Sequence, residues 1–258
     1  MARPLRIQYP RAFYHITARG NERKAVFNST QDRKQFLSYL ESAHTRYGAI
    51  IHAYCLMDNH YHLLLETPRE NLSQVMHHIN GAYTTYYNIK RRRSGHLFQS
   101  RYKAILVEKD AYCQELSRYI HLNPLRAGMV NMVEEYHWSS YQSYIGMRED
   151  EQWLETGYVL GYFGSGKSTA RKKYQEYIEE AAGKAVDDPS KLVYASTILG
   201  GASFISWVQN LIKKEIEGSK KKKDVPALKG LAGKPSLDRI QEVVTNMAGS
   251  DSRMIKKM

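Results

Sequence analysis

The chain has 258 residues, 42% of them hydrophobic, with a formal net charge of +12 and 20 Tyr against 6 Phe. That length allows one large domain or two ordinary ones, and the positive excess points to a polyanionic partner. Two cysteines, Cys55 and Cys113, argue against a disulfide framework or a cysteine zinc site. With no apolar run of roughly 18 residues and no signal-peptide core behind Met1, the expectation is a cytoplasmic protein with no membrane contact.

Residues 12–19 alternate as a strand, with Phe13, His15 and Thr17 on one face and Tyr14, Ile16 and Ala18 on the other. The turn that follows, Arg19 to Lys24, carries Arg19, Asn21 and Arg23 on a positive rim suited to phosphate or base contact. Ser29 opens a helix with capping-box spacing to Asp32, and Gly48 closes it. Residues 49–57 read as a buried strand. The Asp58-Asn59 turn then leads into a second strand, His60 to Glu66, as a hairpin. A helix over 71–90 presents Leu72, Val75, Met76, Ile79, Tyr83 and Tyr86 as its apolar stripe.

Six cations (Lys90, Arg91, Arg92, Arg93, Arg101 and Lys103) then fall within fourteen residues, interleaved with His96, Phe98 and Tyr102. Charge runs are usually solvated faces, but this interleaving favours nucleic-acid contact. A strand at 104–108 precedes a helix that Asp110 should cap and that should end near Asn123, because Pro124 disfavours helical geometry there. The order β-α-β-β-α-β followed by a helix predicts an α+β, ferredoxin-like antiparallel sheet with helices on one face and the other face free for a ligand. Residues 131–145 close it with Tyr136, Trp138, Tyr141 and Tyr144, and helical stretches follow at 168–182, 203–217 and 236–247. Gly161 to Ser168 fits the P-loop spacing, but Thr156 to Leu160 is a poor strand, so no nucleotide cofactor is expected.

On a strand, residues i and i+2 share a face, so His60 and His62 point the same way and offer two nitrogens to a metal. Mg2+ or Mn2+ acting on a phosphodiester needs a few such ligands and open positions for phosphate oxygens; imidazole suits Mn2+ at least as well. Asn123 lies one helical turn after Tyr119. If that helix packs beside the sheet, the Asn123 amide oxygen joins the histidines and Tyr119 stands next to the metal-bound phosphate as a nucleophile. Tyr112 and Tyr102 are fallback nucleophiles. Glu66 shares the face of the histidines, and His15 either lines the site or packs in the core. Arg118 and Arg126 are placed to hold DNA phosphates.

His60-Tyr61-His62 resembles the His-hydrophobic-His signature of HUH-type single-strand nucleases. The segments Gly95-His96-Leu97-Phe98-Gln99-Ser100-Arg101-Tyr102-Lys103 and Tyr119-Ile120-His121-Leu122-Asn123-Pro124-Leu125-Arg126, with Arg19-Gly20-Asn21, resemble the REP-associated tyrosine transposases over residues 1–145. The resemblance implies cleavage and rejoining of single-stranded or hairpin DNA through a 5′-phosphotyrosine, a divalent metal, Tyr119 as nucleophile, and His60, His62 and Asn123 as ligands. Many relatives have Gln where Asn123 stands; Asn is one carbon shorter, which allows ligation through water. A non-catalytic hairpin-binding protein of the same fold is the alternative. The expected divisions are a transposase domain over 1–147, a helical extension over 148–218, and a basic linker with a partial, truncated DNA-binding tail over 219–258. Both a monomer and a homodimer are compatible with the residue set.

Overall fold

The computed structural model describes residues 7–149, 151–182 and 192–218; the expected linker and tail beyond 218 lie outside the described residues. The chain divides into two compact units, one of residues 6–200 and one of residues 1–5 with 201–258. In the second, the described element is a helix, Ala202–Gly218, with Phe204 and Trp207 stacked 5.8 Å apart.

The first unit runs β1 (Ala12–Arg19), α1 (Thr30–Tyr47), β2 (Ile50–Met57), β3 (His60–Thr67), α2 (Leu72–Lys90), β4 (Lys103–Val107), α3 (Lys109–Arg126), α4 (Tyr141–Tyr144), α5 (Gly157–Leu160), α6 (Lys167–Glu179) and β5 (Ile198–Leu199). The sheet order is β2-β3-β1-β4-β5. The first four strands pair antiparallel, as the ferredoxin-like reading expects, and β5 adds in parallel beside β4. Local signals set several boundaries. The Ser29 hydroxyl accepts from the Asp32 amide at the start of α1, and Gly48 ends that helix in the left-handed region at φ 69°, a conformation glycine adopts without steric cost. Met57 pairs with His60 across the two-residue Asp58-Asn59 turn.

The antiparallel register sorts side chains between two faces. Tyr14, Ile16, Tyr61 and Leu63 lie under α1 and α2, where Phe36 meets Tyr61 at 4.7 Å and Tyr83 at 5.1 Å. The opposite face is not left open, because Phe13, Cys55, Leu64, Ile105 and Val107 pack with Leu116 and Ile120 of α3 and with Tyr174 and Ile178 of α6. Elements after residue 148 thus share the core of the elements before it.

Helix α3 departs from the sequence expectation at both ends. It begins at Lys109 with Glu108 as its N-cap, and Asp110 sits in its first turn, where its carboxylate accepts from the Tyr158 and Tyr162 hydroxyls. It also runs through Pro124 to Arg126. Proline costs a helix an amide and crowds the carbonyl four residues back, but the bonds resume at once with the Ala127 amide on the Asn123 carbonyl. Burial of Leu122 and Pro124 on the core side supports that last turn.

A closed hydrogen-bond chain crosses the core. The buried His121 donates from Nδ1 to the Tyr174 hydroxyl (2.7 Å), which donates to Ser117 Oγ (3.1 Å), which donates to the Gln114 carbonyl (2.7 Å). The other ring nitrogen, His121 Nε2, lies 2.8 Å from Ser140 Oγ. Burial lowers the His121 pKa to about 3, against about 6.5 for an unfolded chain. Between those values the unfolded chain binds more protons, so this contribution to stability is complete above pH 6.5 and declines as pH falls toward 3. Urea unfolding at pH 6, 5 and 4 is expected to show a stability slope steeper in the wild type than in His121→Gln by about 1.4 kcal/mol per pH unit. Equal slopes would mean that His121 is not buried as the neutral imidazole.

Candidate active site

Sheet register carries the site. His60 pairs with Arg19, His62 with Thr17, and Thr17 on its other side with Lys103. Directly paired residues share a face, so Arg19, His60, His62, Thr17 and Lys103 all lie on the α3 side, with Lys103 roughly 10 Å from His62 along the row at two strand spacings. His15, one step further along β1, reaches His62, with His15 Nε2 to His62 Nδ1 at 2.9 Å and the rings stacked 5.2 Å apart. The His60 and His62 rings meet edge to face at 5.1 Å.

Helix α3 closes the site from above. The Tyr119 ring stands edge-on to His62 at 5.7 Å and to His15 at 5.9 Å, and the Arg126 guanidinium lies 5.3 Å from the Tyr119 centroid. Asn123 turns its Nδ2 back to donate to the Tyr119 carbonyl at 2.8 Å, which leaves the amide oxygen as its available end. Tyr119 and the two histidines are therefore brought together, and Asn123 is tied to the backbone of Tyr119.

The site favours neutral imidazoles. Burial, with the Arg19 charge adding to it and Asp58 opposing it, lowers the His60 pKa to about 4. Burial, then His15, His60 and Arg19, holds His62 well below its usual value. At neutral pH both rings carry lone pairs instead of charge, the form in which histidine ligates metals. Among the described residues no three His, Cys, Asp or Glu side chains cluster to hold a metal ion, so a cation here needs the Asn123 amide, water or phosphate to complete its shell.

The remaining candidates divide. Tyr112 lies against Glu108 and Glu115, and burial followed by those charges raises its hydroxyl pKa. Tyr102 is buried. Glu66 pairs with His52 at 3.1 Å. Arg118 stacks on Tyr177 of α6 at 4.2 Å. In the basic segment, Lys90 and Arg91 hold Asp32 at 2.8 and 2.5 Å. Burial alone would raise the Asp32 carboxyl, but hydrogen bonds from Arg91, Lys90 and the Asn28 amide outweigh it and hold the pKa well below the carboxylate range. Arg92, Arg93, Arg101 and Lys103 are exposed, as are Asn21 and Arg23. Of the interleaved aromatics, Phe98 and Tyr102 turn inward and anchor the loop, with Phe98 edge-on to Tyr61 at 6.0 Å, whereas His96 is exposed. Gly161 to Ser168 follows α5 and opens on a 3-10 turn, Gly161–Phe163, so a helix stands where a P-loop requires a strand.

Sequence reasoning treated Asn59 only as a turn residue. Its Oδ1 meets His60 Nδ1 at 2.6 Å, and its Nδ2 donates to the Arg23 carbonyl at 3.0 Å. Its position next to His60 was the available signal. The basic turn is held against the same hairpin: the Gly20 amide donates to the Asn59 carbonyl, and a Cβ on Gly20 would lie 2.1 Å from the Lys24 oxygen, a space only glycine allows.

Comparison with known proteins matches residues 8–123 to the family described as "Transposase IS200 like". A solved structure of a REP-associated tyrosine transposase bound to a REP hairpin is similar in fold, at 16% identity, covering 60% of this chain and 98% of that chain with a TM-score of 0.50. No curated protein matches. Among the described residues no helix is long and apolar enough to cross a membrane.

Proposed function

Because residues 8–123 are matched by the IS200-like transposase family, we propose that this chain cuts and rejoins single-stranded hairpin DNA through a covalent bond to Tyr119. The observation that carries the reading is the Tyr119 ring edge-on to His62 and His15, at 5.7 and 5.9 Å, beneath the Arg126 guanidinium. The Tyr119 oxygen attacks phosphorus and loses its proton to solvent. The bond from phosphorus to the 3′ oxygen breaks, and that oxygen leaves as a hydroxyl. A second 3′ hydroxyl later attacks the phosphotyrosine and restores Tyr119, so the number of phosphodiester bonds is conserved and no nucleotide is consumed.

His60, His62 and the Asn123 oxygen would hold a Mg2+ or Mn2+ ion, which would supply positive charge to the phosphate oxygens as charge builds up. Arg19, Lys103 and Arg126 flank the phosphate, and Asn21, Arg23, Arg92, Arg93 and Arg101 meet the hairpin backbone. Lys90 and Arg91, held by Asp32, shape the loop that presents their neighbours. Binding by this set falls steeply with salt.

The test is covalent capture. Labelled single-stranded hairpins from the host genome are incubated with the protein and Mn2+ or Mg2+, resolved on a denaturing gel, and the adduct is digested to map the modified residue. A nucleotide on Tyr119 is expected. A nucleotide on Tyr112 or Tyr102 would move the nucleophile. Tight, salt-sensitive binding with no adduct for any hairpin would leave a non-catalytic binding protein.

A further inference from the structure

We propose that Asn59 and His15 are positioning residues that hold His60 and His62 in the tautomer whose Nε2 atoms are bare, so both rings present a lone pair to a divalent cation. The inference rests on the reading of His60 and His62 as ligands.

For His60 the proton is assigned by a chain of one-way bonds. The Arg23 carbonyl only accepts, so the Asn59 nitrogen, 3.0 Å from it, fixes which way the amide faces. The Asn59 oxygen is then the atom 2.6 Å from His60 Nδ1. An amide oxygen cannot donate, so Nδ1 carries the proton, and a neutral ring protonated there has its lone pair on Nε2. The Arg23 carbonyl is itself placed by the turn that begins at Gly20, whose amide bonds the Asn59 carbonyl. The basic turn thus does more than face DNA; it also sets a proton on a ligand.

For His62 a single proton lies between two imidazoles, His15 Nε2 and His62 Nδ1, 2.9 Å apart. If His15 donates, His62 carries its own proton on Nε2 and cannot ligate. If His62 donates, its Nε2 is bare and His15 is the acceptor, with its proton on Nδ1. Ligation therefore requires the second arrangement. His15 then stands where metal-binding histidines commonly have a carboxylate or carbonyl acceptor. An imidazole there, unlike a carboxylate, adds no negative charge, so the charge of the bound cation is left for the phosphate.

The experiment measures Mn2+ binding to the full chain without DNA, by titration calorimetry and by the spin resonance of free Mn2+. Asn59→Leu and His15→Phe remove the acceptors while keeping bulk, and each is expected to weaken binding 10- to 100-fold. Asn59→Asp and His15→Gln restore an acceptor oxygen and are expected to recover most of that loss, which a purely structural role would not do. Long-range proton–nitrogen correlation spectra of the metal-free wild type are expected to show His60 with its proton on Nδ1, which keeps the test open if a variant fails to fold. A His60 proton on Nε2 would overturn the assignment. Wild-type affinity in Asn59→Leu and His15→Phe, with binding lost in His60→Ala/His62→Ala, would overturn the positioning role alone. Mn2+ binding that is absent in the wild type, or that persists in the double variant, would remove the ligand reading and this inference with it.

Discussion

Tyr119→Phe is expected to lower covalent DNA capture by at least about 10³-fold, equivalent to about 4 kcal/mol of barrier, while hairpin binding stays near the wild-type level. The substitution deletes the attacking oxygen but keeps the ring. The contacts with His62, His15 and Arg126 are ring contacts, so they persist. Tyr119 is the candidate whose ring stands against His62 and His15, so its hydroxyl is the one expected to carry the attack. Paired assays decide the outcome, with adduct formation on a denaturing gel and affinity by anisotropy at fixed salt. Adduct at the wild-type level in Tyr119→Phe would exclude Tyr119 as the nucleophile. Loss of both adduct and binding would mean that the variant damages the fold or the DNA surface and does not isolate the chemistry.

The second large effect concerns residues after 148. Tyr174→Ala is expected to destabilise the first unit by about 3–5 kcal/mol, the usual range for removing a buried aromatic ring. Tyr174 is fully buried, lies 4.8 Å from Tyr144 and 5.2 Å from Phe163, and links His121 to Ser117. Its loss leaves a cavity and takes away the partner of His121 Nδ1, whereas Ser117 keeps its bond to the Gln114 carbonyl, and an unmade buried hydrogen bond adds about 1–3 kcal/mol. A domain's whole stability is about 5–15 kcal/mol, so the variant should unfold at markedly lower urea. Tyr174→Phe keeps the ring and is expected to cost about 1–3 kcal/mol. A Tyr174→Ala loss under about 1 kcal/mol would show that α6 is dispensable to the core. His121 lies two residues from both Tyr119 and Asn123 on α3, so this packing supports the helix that carries the nucleophile, and adduct yield is expected to fall with stability across the two variants.

Much of the frame is local and therefore legible in the chain. Ser29 and Gly48 bound α1 because a hydroxyl cap and a left-handed glycine act on their own neighbours. The Asp58-Asn59 turn and the two-residue period of β3 put His60 and His62 on one side whatever surrounds them. Pro124 departs from its local preference for the opposite reason. Its local preference ends a helix, but burial of the last turn of α3 against the core outweighs that preference.

The sequence by itself determined the order of the first four strands and three helices, the cap and stop of α1, the shared face of His60 and His62, and the net charge of +12. Tertiary structure alone decided which groups meet those histidines. His15 reaches His62 across a 47-residue separation because β1 pairs with β3 in one register, and a one-residue slip would turn His15 to the other face. It also decided which charges remain available. Lys90 and Arg91 are drawn to the buried carboxylate of Asp32, whereas their neighbours Arg92 and Arg93 stay exposed. Periodicity and capping depend on a few adjacent residues, whereas register, burial and ion pairing depend on segments that become neighbours only when the whole sheet has formed.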